Sequence, residues 1–247
     1  MRLEIDLGNT LLKWRLLSSE VRVDGGYFAL VELEAWLAEQ SATLESIWIS
    51  SVASDSINHQ LAQRLQLHFG VAAEFARVTQ SAAGLLNAYV QPERMGVDRW
   101  LAMLAAWNHI GGAVLVVDAG SAITIERVSV DGHYLGGSIL PGFQMQQRTL
   151  LGQTARVRFD QVQGDPLQGG IDTASCVASG AELVMRGLAS QLQELAKQLV
   201  QPGVNSTIVL TGGDANHLQR YLSDTDNVVL IPELVMDGLS LAKRERV

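Results

Sequence analysis

The sequence has one cysteine, Cys176, and three lysines, Lys13, Lys197 and Lys243. A lone cysteine excludes an internal disulfide framework, and no Cys/His spacing resembles a zinc site. No lysine follows a glycine, so the Gly-Lys-Ser/Thr phosphate loop is absent. Gly-x-Gly-x-x-Gly and His-Arg-Asp are absent too, which removes two further common nucleotide-binding solutions. Long apolar runs are missing: the stretch 113–117 falls far short of the ~20 residues a membrane span needs. The first strand-like run carries Glu4 and Asp6, unlike a secretory signal, so the expected address is cytoplasmic. Positive charge is also short. A formal net charge of −8 argues against a nucleic-acid partner, as the apolar runs argue against a membrane. Phosphorylated ligands stay open, because backbone amides and a divalent cation can hold a polyphosphate without a basic patch.

What is present describes a globular α/β chain. Its 247 residues are 47% apolar and 18% charged, with room for two domains of ordinary size. Strand-like residues 3–6 and 11–16 flank a Gly8-Asn9 turn signal, predicting a hairpin. A helix near 30–39, a strand at 47–52, a helix capped by Ser54 or Asp55 and a strand at 73–78 follow. A helix over 99–110 then ends at Gly111-Gly112. From Ala113 the opening pattern returns: an apolar run, Asp118-Ala119-Gly120-Ser121-Ala122, and a second strand over 123–128. Asp-x-Gly-(Asn/Ser)-x therefore sits between two strands twice, roughly 110 residues apart, as in a duplicated chain. Strands at 134–139, 207–210 and 228–231 and a helix over 173–199 complete the second passage. The expected halves are 1–112 and 113–247.

Each repeated loop suits phosphate. Gly8 and Gly120 let backbone approach closely, and Asn9, Thr10, Ser121 and Thr124 offer amide and hydroxyl donors. Asp6 can hold magnesium directly or through water. Either loop alone also reads as an ordinary hairpin turn. Two matching loops could cradle terminal phosphates from opposite sides, as in the actin-like ATPase superfamily of sugar and acetate kinases. Thr211-Gly212-Gly213-Asp214 follows a late strand, where that superfamily places its adenosine loop. For the acceptor, Gly96-Val97-Asp98-Arg99 opens the 99–110 helix. Phosphoryl transfer to a hydroxyl needs positioning, charge stabilisation and a carboxylate near the proton. Asp98 can fill that role, with Arg99 to pair a carboxylate substrate, although Asp98 also reads as a helix N-cap.

Taken together, these residues resemble the type III pantothenate kinases. The resemblance rests on Asp-x-Gly-Asn-Thr at 6–10, Gly-x-Asp-Arg at 96–99, Asp118 through Thr124, Gly136 through Gly142, Thr173, Gly180 and the Gly-Leu ending at Leu239. It implies two duplicated actin-like (ribonuclease H-like) α/β domains with a cleft between them, in a homodimer with substrate near the subunit boundary. It further implies ATP-dependent phosphorylation of the primary hydroxyl of pantothenate, with Mg2+ and a monovalent cation, K+ or NH4+. By position, Asp98 becomes the catalytic carboxylate and Asp6 the magnesium-linked acid, and Asp118 lies near the monovalent cation. Gly8, Asn9, Thr10, Lys13, Gly120, Ser121, Ala122, Thr124, Gly212 and Gly213 become ATP contacts. Tyr89, Gly96, Val97, Asp98, Arg99 and Thr173 become pantothenate contacts. The chain departs from the family pattern at Ser121 for Thr, Glu126 for Asp and Asp172 for Asn; the last puts a negative charge near an anionic substrate. The alternatives are another small-molecule kinase of the superfamily, or a transcription accessory factor derived from this fold. The scattered histidines, a buried Cys176 and a solvated helix end at 243–246 are expected to be structural.

Overall fold

The computed structural model describes residues 1–8, 10–153, 168–200, 203, 205–222 and 227–246. These fall into two units, Met1–His109 with Glu233–Val247, and Ile110–Pro232. The expected halves are 1–112 and 113–247, whereas here the last residues, Glu233–Val247, group with the first unit. They return to the first unit because a C-terminal strand pairs there.

In the first unit the chain runs β1 (Arg2–Leu7), β2 (Leu12–Ser18), β3 (Val21–Phe28), α1 (Leu33–Glu39), β4 (Ser46–Ser51), α2 (Asp55–Phe69) and β5 (Ala73–Arg77). A small hairpin of β6 (Ser81–Ala82) and β7 (Leu85–Leu86) precedes α3 (Val97–Ile110). The sheet order is β13-β5-β4-β1-β2-β3, with β13 (Lys243–Arg246) antiparallel to β5. Alternation along β1 sends Leu3, Ile5 and Leu7 into a core with Trp36 and Leu37 of α1 and Leu61 and Leu65 of α2. Trp36 packs between Trp14 and Phe28, each ring centroid 5.1 Å away.

Glu4 is buried in the same strand and takes Arg15 of β2 as partner: Nε donates to its carboxylate at 2.7 Å. Arg2 Nε donates to the other oxygen at 2.8 Å. Arg15 also donates to Glu233 at 3.0 Å and Asp237 at 2.6 Å, which fastens α7 (Leu234–Asp237) to this sheet. Burial works against the Arg15 charge, but Glu4, Asp237 and Glu233 together hold its pKa well above the ordinary value.

The second unit contains β8 (Ala113–Ala119), β9 (Ala122–Val128), β10 (Tyr134–Pro141), α4 (Phe143–Gln153), α5 (Thr173–Leu199), β11 (Ser206–Thr211), α6 (Ala215–Gln219) and β12 (Val228–Leu230). Its sheet order is β10-β9-β8-β11-β12. Read from β3, the first sheet has the same order of third, second, first, fourth and fifth strand, with the first three antiparallel and the rest parallel. β8 is apolar nearly throughout because helices and neighbouring strands bury it; Leu115 and Val117 pack against Met185, Ala189 and Leu192 of α5.

Three expectations change. Lys243 to Arg246 form an edge strand rather than a helix end, since Arg244 and Arg246 approach Glu74 on β5. Cys176 is exposed, because α5 turns that side outward. The 99–110 helix starts earlier, at Val97: the Trp100 amide donates to Gly96 O at 3.2 Å, so Asp98 lies inside the first turn rather than at the cap.

Candidate active site

In the first unit, Asp6 ends β1 in register with Lys13 on β2 and Ser50 on β4. The turn is closed by the Gly8 amide donating to Leu11 O at 3.2 Å, and Val52 N donates to Leu7 O at 3.3 Å. Asp6 is half-buried, while Thr10 and Lys13 are exposed. Asn9 lies outside the described residues. A half-buried carboxylate beside an open turn fits magnesium, which takes one or two protein carboxylates and completes its shell with water and phosphate.

The start of α3 gathers several of the residues expected at the acceptor end, in the same unit. Asp98 accepts the Arg99 amide at 2.8 Å, and a side chain at position 96 would strike that carboxylate, so Gly96 leaves it room. Arg99 is buried and donates from Nη1 to the Tyr89 hydroxyl at 3.0 Å, with its guanidinium 5.8 Å from the Tyr89 ring centroid. Tyr89 is fixed from behind, because its amide donates to the buried Asn87 side chain at 2.9 Å. Val97 is buried and contributes packing and backbone.

In the second unit, Asp118 and Ala119 end β8, and Gly120 N donates to Ala122 O at 3.1 Å. Thr124 pairs with Asp118 across the hairpin, on the same face. Two other segments press on this turn. Gly142 N donates to Ser121 O at 3.0 Å, and Asp214 N donates to Ala119 O at 2.8 Å. Gly212 has φ +93°, and a Cβ there would overlap Asp118 Oδ1 and Ala119 O. Glycine at this position thus lets the backbone pack directly against Asp118 and Ala119. Gly213 is exposed beside it.

Thr173 also belongs to the second unit. It opens α5 and lines a cavity of about 760 Å³ with Gln147, Leu150, Asp172, Cys176 and Val177. Asp172 caps α5 by accepting the Ser175 amide at 2.9 Å, which holds its carboxyl below the usual range. Its negative charge therefore persists beside Thr173. Glu126 is buried and accepts the Tyr134 hydroxyl at 2.7 Å, which satisfies the longer side chain at that departure.

The sequence expectation gave no site role to Gly142 or Asn87, although both lie in or beside its motifs, nor to the cluster of Glu182, His217 and Tyr221. That cluster acquires meaning from contacts between distant segments.

Two solved structures share this mixed α/β fold, which defines its class. A Sinorhizobium meliloti protein described as a 2-dehydro-3-deoxygalactonokinase superposes with TM-score 0.55 at 17% identity, covering 97% of each chain. A Campylobacter jejuni protein described as a Baf family transcriptional activator gives TM-score 0.56 at 22% identity, covering 96% of this chain and 95% of its own. Sequence narrows this class to one family. The type III pantothenate kinase model matches residues 2–198. A type III pantothenate kinase from Marinobacter nauticus is 40% identical over 97% of this chain and 96% of its own length. One from Pseudomonas aeruginosa is 35% identical over 98% of each. The chain belongs to the type III pantothenate kinase family, a family of phosphotransferases.

Proposed function

We propose that this protein transfers the γ-phosphoryl group of ATP to the primary hydroxyl of pantothenate, giving 4′-phosphopantothenate and ADP on the way to coenzyme A. The observation that carries this reading is the group at the start of α3, where Asp98, Gly96 and the Tyr89–Arg99 pair converge. Asp98 accepts the hydroxyl proton as the new P–O bond forms and the bond to the leaving ADP oxygen breaks. Tyr89 and Arg99 orient the substrate, with Thr173 adding a hydroxyl. Asp6 and the 8–13 turn bind phosphate oxygens, and so does the turn from Gly120 to Thr124, while Gly212 and Gly213 take the adenosine. Magnesium held by Asp6 would neutralise phosphate charge, and a monovalent cation beside Asp118 would do the same in the second unit. The shared strand order supports descent of both units from one duplicated actin-like domain, and a nucleotide cleft between the halves is part of this proposal.

The proposal includes a cytoplasmic homodimer. Exposed Leu150, Ile171, Leu183 and Val184 on and beside α4 and α5 supply apolar surface for a second copy. Among the described residues no helix is long and apolar enough to cross a membrane.

Asp98→Asn tests the catalytic assignment. The amide keeps an acceptor for the Arg99 N–H, so stability should change by under ~1 kcal/mol. Loss of the proton acceptor should lower kcat at least about a hundredfold, with ATP binding retained. Turnover within a few-fold of wild type would make Asp98 a helix-start residue only.

A further inference from the structure

Behind the proposed adenosine loop lies a cluster that the reaction itself does not use. Glu182, in α5, receives two donors from the segment that follows Gly212 and Gly213. His217 of α6 places Nε2 2.9 Å from Oε1 and 3.0 Å from Oε2, and the Tyr221 hydroxyl donates to the same carboxylate. The Arg186 guanidinium, one turn further along α5, lies 5.3 Å from the Tyr221 ring centroid. The His217 ring packs against Phe143, the first residue of α4, at 5.3 Å between centroids.

Two of the segments joined here, those of α4 and α6, have a neighbour on the 118–122 turn. α6 reaches it through Gly212 and the Asp214 amide, and α4 reaches it through the Gly142 amide. α6 has only five residues, too few to be stable by its own hydrogen bonds, so tertiary contacts must fix its place. Leu218 and Ala215 anchor its apolar side in the core, and Glu182 anchors its polar side. We propose that Glu182 is a positioning residue for nucleotide binding: through His217 and Tyr221 it holds α6, and with it the Gly212–Gly213 turn, against the Asp118 loop. Burial alone would raise the Glu182 pKa, but the hydrogen bonds from Tyr221 and His217 outweigh it and keep the carboxyl below its usual range. The anchor is therefore ionised at neutral pH. Because its hydrogen bonds run to α6, the segment that follows the Gly212–Gly213 turn, it governs affinity for ATP rather than the acceptor chemistry at α3. This inference rests on the reading of Gly212–Gly213 as the adenosine loop.

The test uses the full chain with Glu182→Gln, which keeps the volume and removes the charge, and Tyr221→Phe, which removes one hydroxyl. Steady-state kinetics with ATP and pantothenate are combined with ADP titration and thermal melting. Glu182→Gln should raise KM for ATP and Kd for ADP roughly tenfold, the scale of a lost charge-assisted hydrogen bond. Its kcat and KM for pantothenate should stay within about twofold of wild type. Tyr221→Phe should shift ATP in the same direction by about two- to threefold and carries the test if Glu182→Gln does not fold. An unchanged ATP KM in the folded variants, or equal losses in the ATP and pantothenate parameters, would overturn the proposal. Gly213→Leu serves as the control, since the position is exposed and nothing lies within 4 Å of a Cβ there. If Gly213→Leu leaves ATP binding intact, the adenosine-loop reading itself fails. If it weakens ATP binding and Glu182→Gln does not, only the positioning role fails.

Discussion

The two hairpins carry nearly the same turn sequence in different surroundings. Around β1 and β2, the buried carboxylate is Glu4, on the first strand, and two arginines neutralise it. Around β8 and β9, the buried carboxylate is Glu126, on the second strand, and a tyrosine hydroxyl on β10 meets it. The turns differ as well. Each turn takes an amide from outside its hairpin, Val52 on Leu7 O and Asp214 on Ala119 O, but the Gly120–Ser121 turn is held in addition by the Gly142 amide on Ser121 O. A repeated motif therefore does not carry repeated energetics. Substitutions at the first turn should act mainly on ligands, and those at the second should disturb structure and ligand binding together.

The largest effect expected from this contrast is at Arg15. Arg15→Met leaves Glu4 with Arg2 alone in a buried setting and frees α7 from β2. Removing one partner of a buried ion pair costs about 3–5 kcal/mol, so the melting temperature should fall by roughly 6–20 °C. A melting temperature within two or three degrees of wild type would show that Arg2 suffices. Next comes Gly212→Ala, where a positive φ and a collision with Asp118 and Ala119 combine. A loss of about 1–3 kcal/mol and weaker ATP use are expected together. If calorimetry finds stability unchanged, the close approach to Asp118 is not real. The smallest effect on stability belongs to Asp6→Asn, which should melt within a degree or two of wild type while needing more magnesium for half-maximal rate. A wild-type magnesium titration in that variant would reduce Asp6 to a strand end and erase the contrast between the turns.

Much of this architecture is legible in the sequence, for identifiable reasons. Asp-x-Gly-Asn/Ser between apolar strands announces both hairpins, and the apolar spacing from Trp100 to Ile110 announces α3. β3 is hidden because Asp24-Gly25-Gly26 interrupts its alternation, and it is held by pairing to β2 rather than by a pattern of its own. β13 reads as solvated charge until Glu74 and Arg77 of β5 stand opposite it. Long-range pairing decided that segment and overrode its composition. The same limit applies to the site. Asp6, Asp98 and Asp118 lie inside local motifs, whereas Glu182 meets His217 across 35 residues of sequence and no local spacing marks the pair. Asp98 shows a milder form: a helix start is visible in sequence, but whether it falls at 97 or 99 depends on the Trp100–Gly96 hydrogen bond.

The most direct measurement of the central claim is the identity of the phosphorylated product. Purified protein with ATP, Mg2+ and K+ would be offered pantothenate, glucose, glycerol and acetate in separate reactions, with products resolved by mass. The account predicts 4′-phosphopantothenate and ADP in equal amounts, and no phosphorylated product from the other three. Comparable turnover on any of those three, or ATP consumption without phosphopantothenate, would contradict it.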